Sequence, residues 1–352
     1  MGGVGIMKPI RFAVIGAGAI ARAYETAFQS MESGVIAAVC DVDASAAEAF
    51  AQRAECQAFS SIRALVAQAD FDAAIVCTPP ASHEAITCEL LRHGKHVLCE
   101  KPLAISVRAA KRMLATARDA RVILTMASKF RYAADVRKAR EIVKSGAIGE
   151  LIFAETAFTS HVDMRHRWNS NSAVSGGGVL IDNGTHAVDI LRYFLGNLCD
   201  IQVVEGRRMQ GLAVEDTVRL FVHNDEGVMG SSDLSWSINK ELDTFLRIYG
   251  SEGTILVGWK ESSYRRHGEG DWSVFGSGYN KIQAFQDQLE NFCAAVRGEA
   301  ELVVTSRDGL ASVEVIQAAY AALSCARWER VGSQREELEI VPFRIDQKAA
   351  AS

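Results

Sequence analysis

The chain has 352 residues, 49% of them hydrophobic, and a formal net charge of −5 from 38 basic and 43 acidic side chains. That length favours two domains, each with apolar material for its own core, and the charge balance leaves no polycationic face for a phosphate backbone, so no nucleic-acid partner is expected. No apolar run reaches the roughly 18 to 20 residues of a membrane span, and Met1 to Lys8 lacks the apolar stretch of a secretory signal, so no membrane partner and a soluble, cytoplasmic protein are expected.

Ile10 to Ile15 is an apolar run ending in glycines, and Ile20, Ala23, Ala27, Phe28 and Met31 follow at helical spacing until Gly34. Strands are predicted over 35–40, 73–77, 96–99 and 122–126, with helices over 44–54, 83–92 and 106–120 between them. Such alternation predicts an N-terminal, parallel, doubly wound sheet of Rossmann type over 8–128. From about Glu150 the strands follow one another, over 151–159, 201–209, 217–223, 228–236 and 245–249, before helices over 282–296 and 310–326. The second part, 129–345, is therefore expected to be an α+β domain whose helices are segregated from a largely antiparallel sheet. The Ala349 to Ala351 tail is expected to fray.

The turn Gly16-Ala17-Gly18-Ala19-Ile20-Ala21 has the GxGxxA pattern of a dinucleotide site. Gly16 permits the tight turn, Gly18 lets backbone approach a pyrophosphate, and Ala21 lets helix and strand pack closely. The helix start, at Ala19 and Ile20, offers free N–H groups to phosphates. Any tight strand-helix turn favours glycine, but Asp41 ends the strand predicted over 35–40, where a carboxylate can take ribose hydroxyls. It would repel a 2′-phosphate, and Val42 supplies no cation to receive one, so NAD is expected over NADP. Asp43 and Ser45 are better placed than Asp41 to cap the next helix.

Thr78-Pro79-Pro80 closes the strand predicted over 73–77 in an extended loop at the carboxyl edge, beside the expected cofactor, and His83 is near enough to reach it. Glu100-Lys101-Pro102 follows another strand, which puts Lys101 at the same edge. Further on, Asp182 and His186 stand at i and i+4, so on a helix they share a face beside the buried stripe of Ala187, Ile190, Leu191 and Phe194. Read by themselves, they also fit an N-cap aspartate above a surface histidine.

An alcohol releases hydride only as its proton is removed, and an imidazole with a pKa near 6.5 suits that task. His186 is the expected base; Lys101 would stabilise charge on the reacting oxygen and keep the histidine neutral, while Asp182 would orient substrate and histidine. The eight cysteines (Cys40, Cys56, Cys77, Cys88, Cys99, Cys199, Cys293 and Cys325) show no zinc spacing, so free thiols and no metal are expected.

Together these pieces resemble the Gfo/Idh/MocA oxidoreductases, the glucose-fructose oxidoreductase and inositol dehydrogenase superfamily. The resemblance runs nearly end to end, through GAGAIA with Asp41, VCTPPASH, EKP, Lys129-Phe130-Arg131-Tyr132, SGAIGE, GGGVLIDNGTHAVDILRY and Thr305-Ser306-Arg307-Asp308-Gly309. It implies a Rossmann domain, then an α+β domain on an open, mostly antiparallel sheet used for oligomer contacts, and a homodimer or homotetramer. It also implies that Lys101, Asp182 and His186 form the catalytic group. Asn183 stands where many relatives carry an aliphatic residue, which would tune substrate choice.

The segment from His161 to Asn169 combines cations, an indole and an amide. Trp168 could stack on a sugar ring, and Arg165, Arg167 or Arg131 could take a carboxylate or phosphate, although each arginine equally fits a salt bridge. The expected activity is NAD-dependent oxidation of a secondary alcohol on a sugar or cyclitol, or the reverse reduction. Two alternatives stay open: a redox-neutral NAD enzyme that oxidises and re-reduces one sugar carbon, and a non-catalytic dinucleotide sensor.

Overall fold

A computed structural model describes residues 8–332, so the 333–345 end of the second expected domain and the Ala349 to Ala351 tail lie outside the described residues. Its first sheet is built mainly from short apolar runs that strand geometry buries on both faces, with a short, largely exposed strand at one edge. They are β1 (Ile10–Ile15), β2 (Gly34–Cys40), β3 (Gln57–Phe59), β4 (Ala73–Val76), β5 (His96–Glu100) and β6 (Leu124–Ala127). All pair in parallel, in the order β3-β2-β1-β4-β5-β6. The order reverses between β1 and β4, which opens a ligand crevice at their carboxyl ends.

The crossovers include α1 (Ala19–Phe28), α2 (Ala44–Ala54), α3 (Ile62–Gln68), α4 (His83–Arg92) and α5 (Val107–Ala120). Asp43 caps α2, its carboxylate accepting from the Ser45 and Ala46 N–H groups, as the sequence led us to expect. Helix α6 (Ala134–Lys144), unanticipated in the sequence, then leads to the second sheet.

That sheet has nine strands: β7 (Leu151–Thr159), β8 (Leu198–Glu205), β9 (Thr217–Asn224), β10 (Met229–Ser235), β11 (Thr244–Gly250), β12 (Gly253–Gly258), β13 (Ser262–Arg266), β14 (Ser273–Gly276) and β15 (Glu329–Arg330). Every pairing is antiparallel except β7 with β10. Strand β8 stops short of the expected Met209, because the Met209 and Gln210 N–H groups donate to Asp216 Oδ2 at 2.8 and 3.1 Å and turn the chain away.

A short helical turn, α7 (Ser172–Ser175), precedes α8 (Val179–Leu195), whose Ala187, Ile190 and Leu191 pack with Phe158, Val218 and Leu220 of the sheet. Two further helices depart from the expected division of the chain. In α9 (Lys281–Val296), Phe285, Leu289 and Phe292 join Phe12 and Tyr24 of the first domain in one cluster. In α10 (Ser306–Cys325), Val313 packs with Leu103 and Met126, while other residues of the same helix face the second core. The C-terminal helices thus clamp the two sheets together, and each fully buried aromatic or aliphatic side chain contributes roughly 1.5–3 kcal/mol. No helix of the described residues is long and apolar enough to cross a membrane.

Candidate active site

The glycine turn after β1 is shaped by contact as well as conformation. Gly16 has φ of +92°, and a Cβ there would lie 3.0 Å from the carbonyl carbon of Cys77. Gly18, at the N-cap of α1, is exposed; a Cβ there would meet nothing within 4 Å, and no side chain caps the helix. Exposed Ala19 and partly buried Ile20 open that helix, so its first N–H groups are available to an anion, while Ala21 is buried against the sheet. Asp41 accepts from the Ala17 N–H at 2.7 Å and from the Asp43 N–H at 2.9 Å, which docks its carboxylate on the turn. Val42 beside it is 96% exposed, so no cation covers this corner from that position. An open cradle of free N–H groups with an acid at its rim fits a dinucleotide lacking a 2′-phosphate.

The cleft below the turn has a volume of about 160 Å³ and is shared by both domains, with Ile20, Thr78, Glu100 and Lys101 on one side and Trp168, Asn169 and Asp182 on the other. Pro79 precedes the short turn Pro80–Ser82, and Pro80 reaches the cleft wall. His83 departs from its expected place beside the cofactor. It is fully buried, with Nδ1 2.9 Å from the Pro102 carbonyl and Nε2 2.8 Å from the Thr78 carbonyl. Burial lowers its pKa, against the pull of those carbonyls and with help from Lys101. Its ring ties the Thr78 loop to the Lys101-Pro102 loop from behind, so it shapes the cleft without facing it.

Lys101 and Asp182 meet across the domains. The ammonium donates to Asp182 Oδ1 at 2.5 Å and to the Asp182 carbonyl at 3.2 Å, with the two side chains 18% and 22% exposed. Asn169 approaches the other carboxylate oxygen at 3.5 Å. Glu100 accepts from the Tyr24 hydroxyl at 2.9 Å and from the Lys101 N–H at 3.1 Å, and burial raises its pKa despite nearby Lys101 and Lys129.

His186 sits one turn beyond Asp182 on α8, its ring edge-on to Phe130 at 5.1 Å and tilted against Phe158 at 6.2 Å. Burial, then Lys101 and Lys129, holds its pKa well below 6.5, so the imidazole is neutral at pH 7. The expected influence of Lys101 on the ring is present, but burial is the larger cause. Asp182 departs from the orienting role expected of it, because its carboxylate bonds Lys101 and Asn169 and no bond links it to His186 among the described residues.

The expected substrate contacts divide. Arg131 does not face the cleft: its guanidinium bonds Asp189 at 2.7 and 2.9 Å and Asp308 at 3.2 Å, and its side chain is 5% exposed. A buried cation must be neutralised in place, which leaves none of this fork for a ligand. Arg165 is paired with Asp163 on the surface at 2.6 Å, and Arg167 is exposed without bordering the cleft. Trp168 does border it, 47% exposed. Asn183 donates its amide to the Phe158 carbonyl at 3.2 Å, toward the sheet.

Sequence reasoning gave no role to Lys129 or to the rings of Phe245, Trp259 and Tyr279, which pack around Phe130. Lys129 follows β6 as Lys101 follows β5, so the same strand-end signal was available. The aromatic group comes from β11 and from loops after β12 and β14, whose spacing gives no sign that they converge.

Two family models match the chain: "Oxidoreductase family, NAD-binding Rossmann fold" over residues 10–128 and "GFO/IDH/MocA C-terminal domain" over 136–256. The chain is similar to 1,5-anhydro-D-fructose reductase of Ensifer adhaerens, 28% identical over 86% of this chain and 93% of that protein. It is also similar to inositol 2-dehydrogenase of Rhizobium meliloti, 24% identical over 90% and 97%. Its fold matches a solved levoglucosan dehydrogenase in complex with NADH and levoglucosan, with a TM-score of 0.86 at 19% identity over 92% of this chain and all of that one (100%).

Proposed function

The chain belongs to the Gfo/Idh/MocA oxidoreductase family, and from that premise we propose that it oxidises a secondary alcohol of a sugar or cyclitol, or reduces the matching ketone. It is an NAD-binding oxidoreductase of the class that acts on CH–OH donors. Bound NAD supplies the acceptor for hydride. Gly16, Gly18 and the start of α1 would hold its pyrophosphate and Asp41 its adenosine ribose; that acid beside exposed Val42 favours NAD over NADP.

Neutral His186 takes the hydroxyl proton. Lys101 hydrogen-bonds the reacting oxygen and stabilises its growing negative charge. Asp182 holds the Lys101 ammonium in line, and protonated His186 returns the proton in the reverse direction. The observation that carries this reading is the 2.5 Å contact of Lys101 with Asp182 across the cleft, one helical turn from an imidazole kept neutral.

We further place the protein in the cytoplasm, in keeping with eight cysteines that are all free thiols. We assign homodimer or homotetramer formation to the second sheet's face away from α8, where partly exposed Phe153 and Tyr249 stack at 6.0 Å. The test of the activity is a panel of free, acidic, phosphorylated and nucleotide-linked sugars and inositols, assayed with NAD for the near-ultraviolet absorbance of NADH. Net NADH formation with at least one member is expected; turnover without it would assign the site to redox-neutral chemistry.

A further inference from the structure

Lys101 is not the only lysine at this sheet edge. Strands β5 and β6 are neighbours, with Glu100 in register with Ala127, so Lys129 leaves the same carboxyl edge as Lys101. Its ammonium lies 5.5 Å from the centre of the Phe130 ring and 5.6 Å from that of Phe285. Phe130 packs on His186, and Phe285 packs at 4.6 Å on Tyr24, whose hydroxyl holds Glu100.

The electrostatic surroundings agree with that position. Burial lowers the Lys129 pKa to about 8; Glu100 and Asp182 favour its charge while Lys101 and Lys281 oppose it, and it acts in turn on His186. Among the described residues, however, this ammonium makes no hydrogen bond or ion pair. Lys101 is engaged by Asp182, and both Glu100 oxygens already accept bonds. The Tyr279 hydroxyl is buried without a hydrogen-bond partner, and its ring stacks on Phe130 at 4.8 Å.

A buried hydroxyl without a partner is costly, and a part-buried ammonium held only against aromatic rings keeps its hydrogen-bonding capacity open, so a ligand that supplies acceptors would serve both. A neutral polyol offers Lys129 hydroxyl oxygens, whereas a carboxylate offers two acceptors and the opposite charge. With Arg131 and Arg165 already paired, Lys129 is a cation that acts on both Glu100 and His186 and that a substrate anion could use.

We propose that Lys129, assisted by the Tyr279 hydroxyl, anchors a carboxylate of the substrate and selects a sugar acid or cyclitol acid over its neutral parent. This rests on the dehydrogenase reading above and deepens it by naming the substrate class.

The test is calorimetric titration of the NADH-loaded enzyme, which cannot oxidise substrate, with aldonates and uronates and with their parent sugars. At least one acid is expected to bind about tenfold or more tighter than its parent, a difference of about 1.4 kcal/mol. Lys129→Met is expected to bring that ratio close to one at unchanged NADH affinity, and Lys129→Arg to restore part of it. As pH rises through about 8 the wild-type preference should fade as Lys129 loses its proton, and Lys129→Met should show no such change.

Acids that bind no tighter than their parents overturn the proposal, as does a Lys129→Met enzyme that keeps the preference or loses affinity for NADH. The two readings fail separately. A Lys129-dependent acid preference without NADH formation from any alcohol would retain the anchor and reject the dehydrogenase, whereas NADH formation from neutral sugars with no acid preference would do the reverse.

Discussion

Two ion-pair sites join distant parts of this chain, and they differ in what is left over. At the first, Arg131 meets Asp189 and Asp308, with side-chain exposures of 5%, 2% and 23%, and its donors are taken up by protein acceptors. At the second, Lys101 meets Asp182 in the cleft, about a fifth of each side chain stays exposed, and His186 and Lys129 stand nearby packed on aromatic rings, with no hydrogen bond or ion pair among the described residues. All these residues lie in segments that drew attention in the sequence, so the kind of residue does not separate structure from chemistry. Unsatisfied bonding capacity beside a cleft does.

That contrast can be broken most sharply at Lys101. Lys101→Met is expected to lower turnover by about two or more powers of ten, the usual scale for losing a group that acts in proton transfer and charge stabilisation, while the melting temperature barely moves. A large fall in melting temperature with normal turnover per folded molecule would make this pair structural too. Arg131→Met should behave in the opposite way. Stranding buried Asp189 costs about 3–5 kcal/mol, read by urea denaturation, and an unchanged midpoint would refute the structural role.

His83 lies between the two cases, because it bonds only backbone yet ties together the Thr78 and Lys101-Pro102 loops, which we propose to hold the cofactor. His83→Ala is expected to cost about 1–3 kcal/mol in stability and to raise the KM for NAD more than that for the alcohol. Equal rises in both would sever it from the cofactor loops.

The smallest effects are those of pH. For the oxidation to be limited by His186 the ring must become protonated, and its pKa is lowered, so kcat/KM should stay level as pH falls through 6.5. A falling limb centred there would show an unshifted histidine. Asp308 has a lowered pKa because Arg131, Thr305 and Arg192 together outweigh its burial. The stability it adds is complete above its ordinary value of 3.8 and is lost as pH falls through the lower folded value. Asp308→Asn should therefore flatten the acid side of the stability curve, and an unaltered curve would exclude the linkage.

The geometry of the glycine turn proposed to cradle the cofactor was legible in the sequence because its determinants are local. A glycine at positive φ, a small residue under a helix and an acid at a strand end each state their reason within a few neighbours. Lys101 was legible for a related reason, since parallel sheets present ligands at the carboxyl ends of their strands. The fate of Arg131 was not, because its partners Asp189 and Asp308 lie 58 and 177 residues away and only tertiary packing brings them to it. The same holds for α9, whose amphipathic pattern announces a buried face without saying which sheet it meets. His83 reads as an exposed first-turn residue until the loop after β5 folds over it.

The central claim is that His186 accepts the proton as hydride leaves the substrate, and it is tested most directly by NADH formation in His186→Ala beside calorimetric binding of NAD. With a substrate found by the panel, NAD affinity is expected to match the wild type while NADH appears about a hundredfold or more slowly. Unchanged NADH formation in that variant would contradict the account.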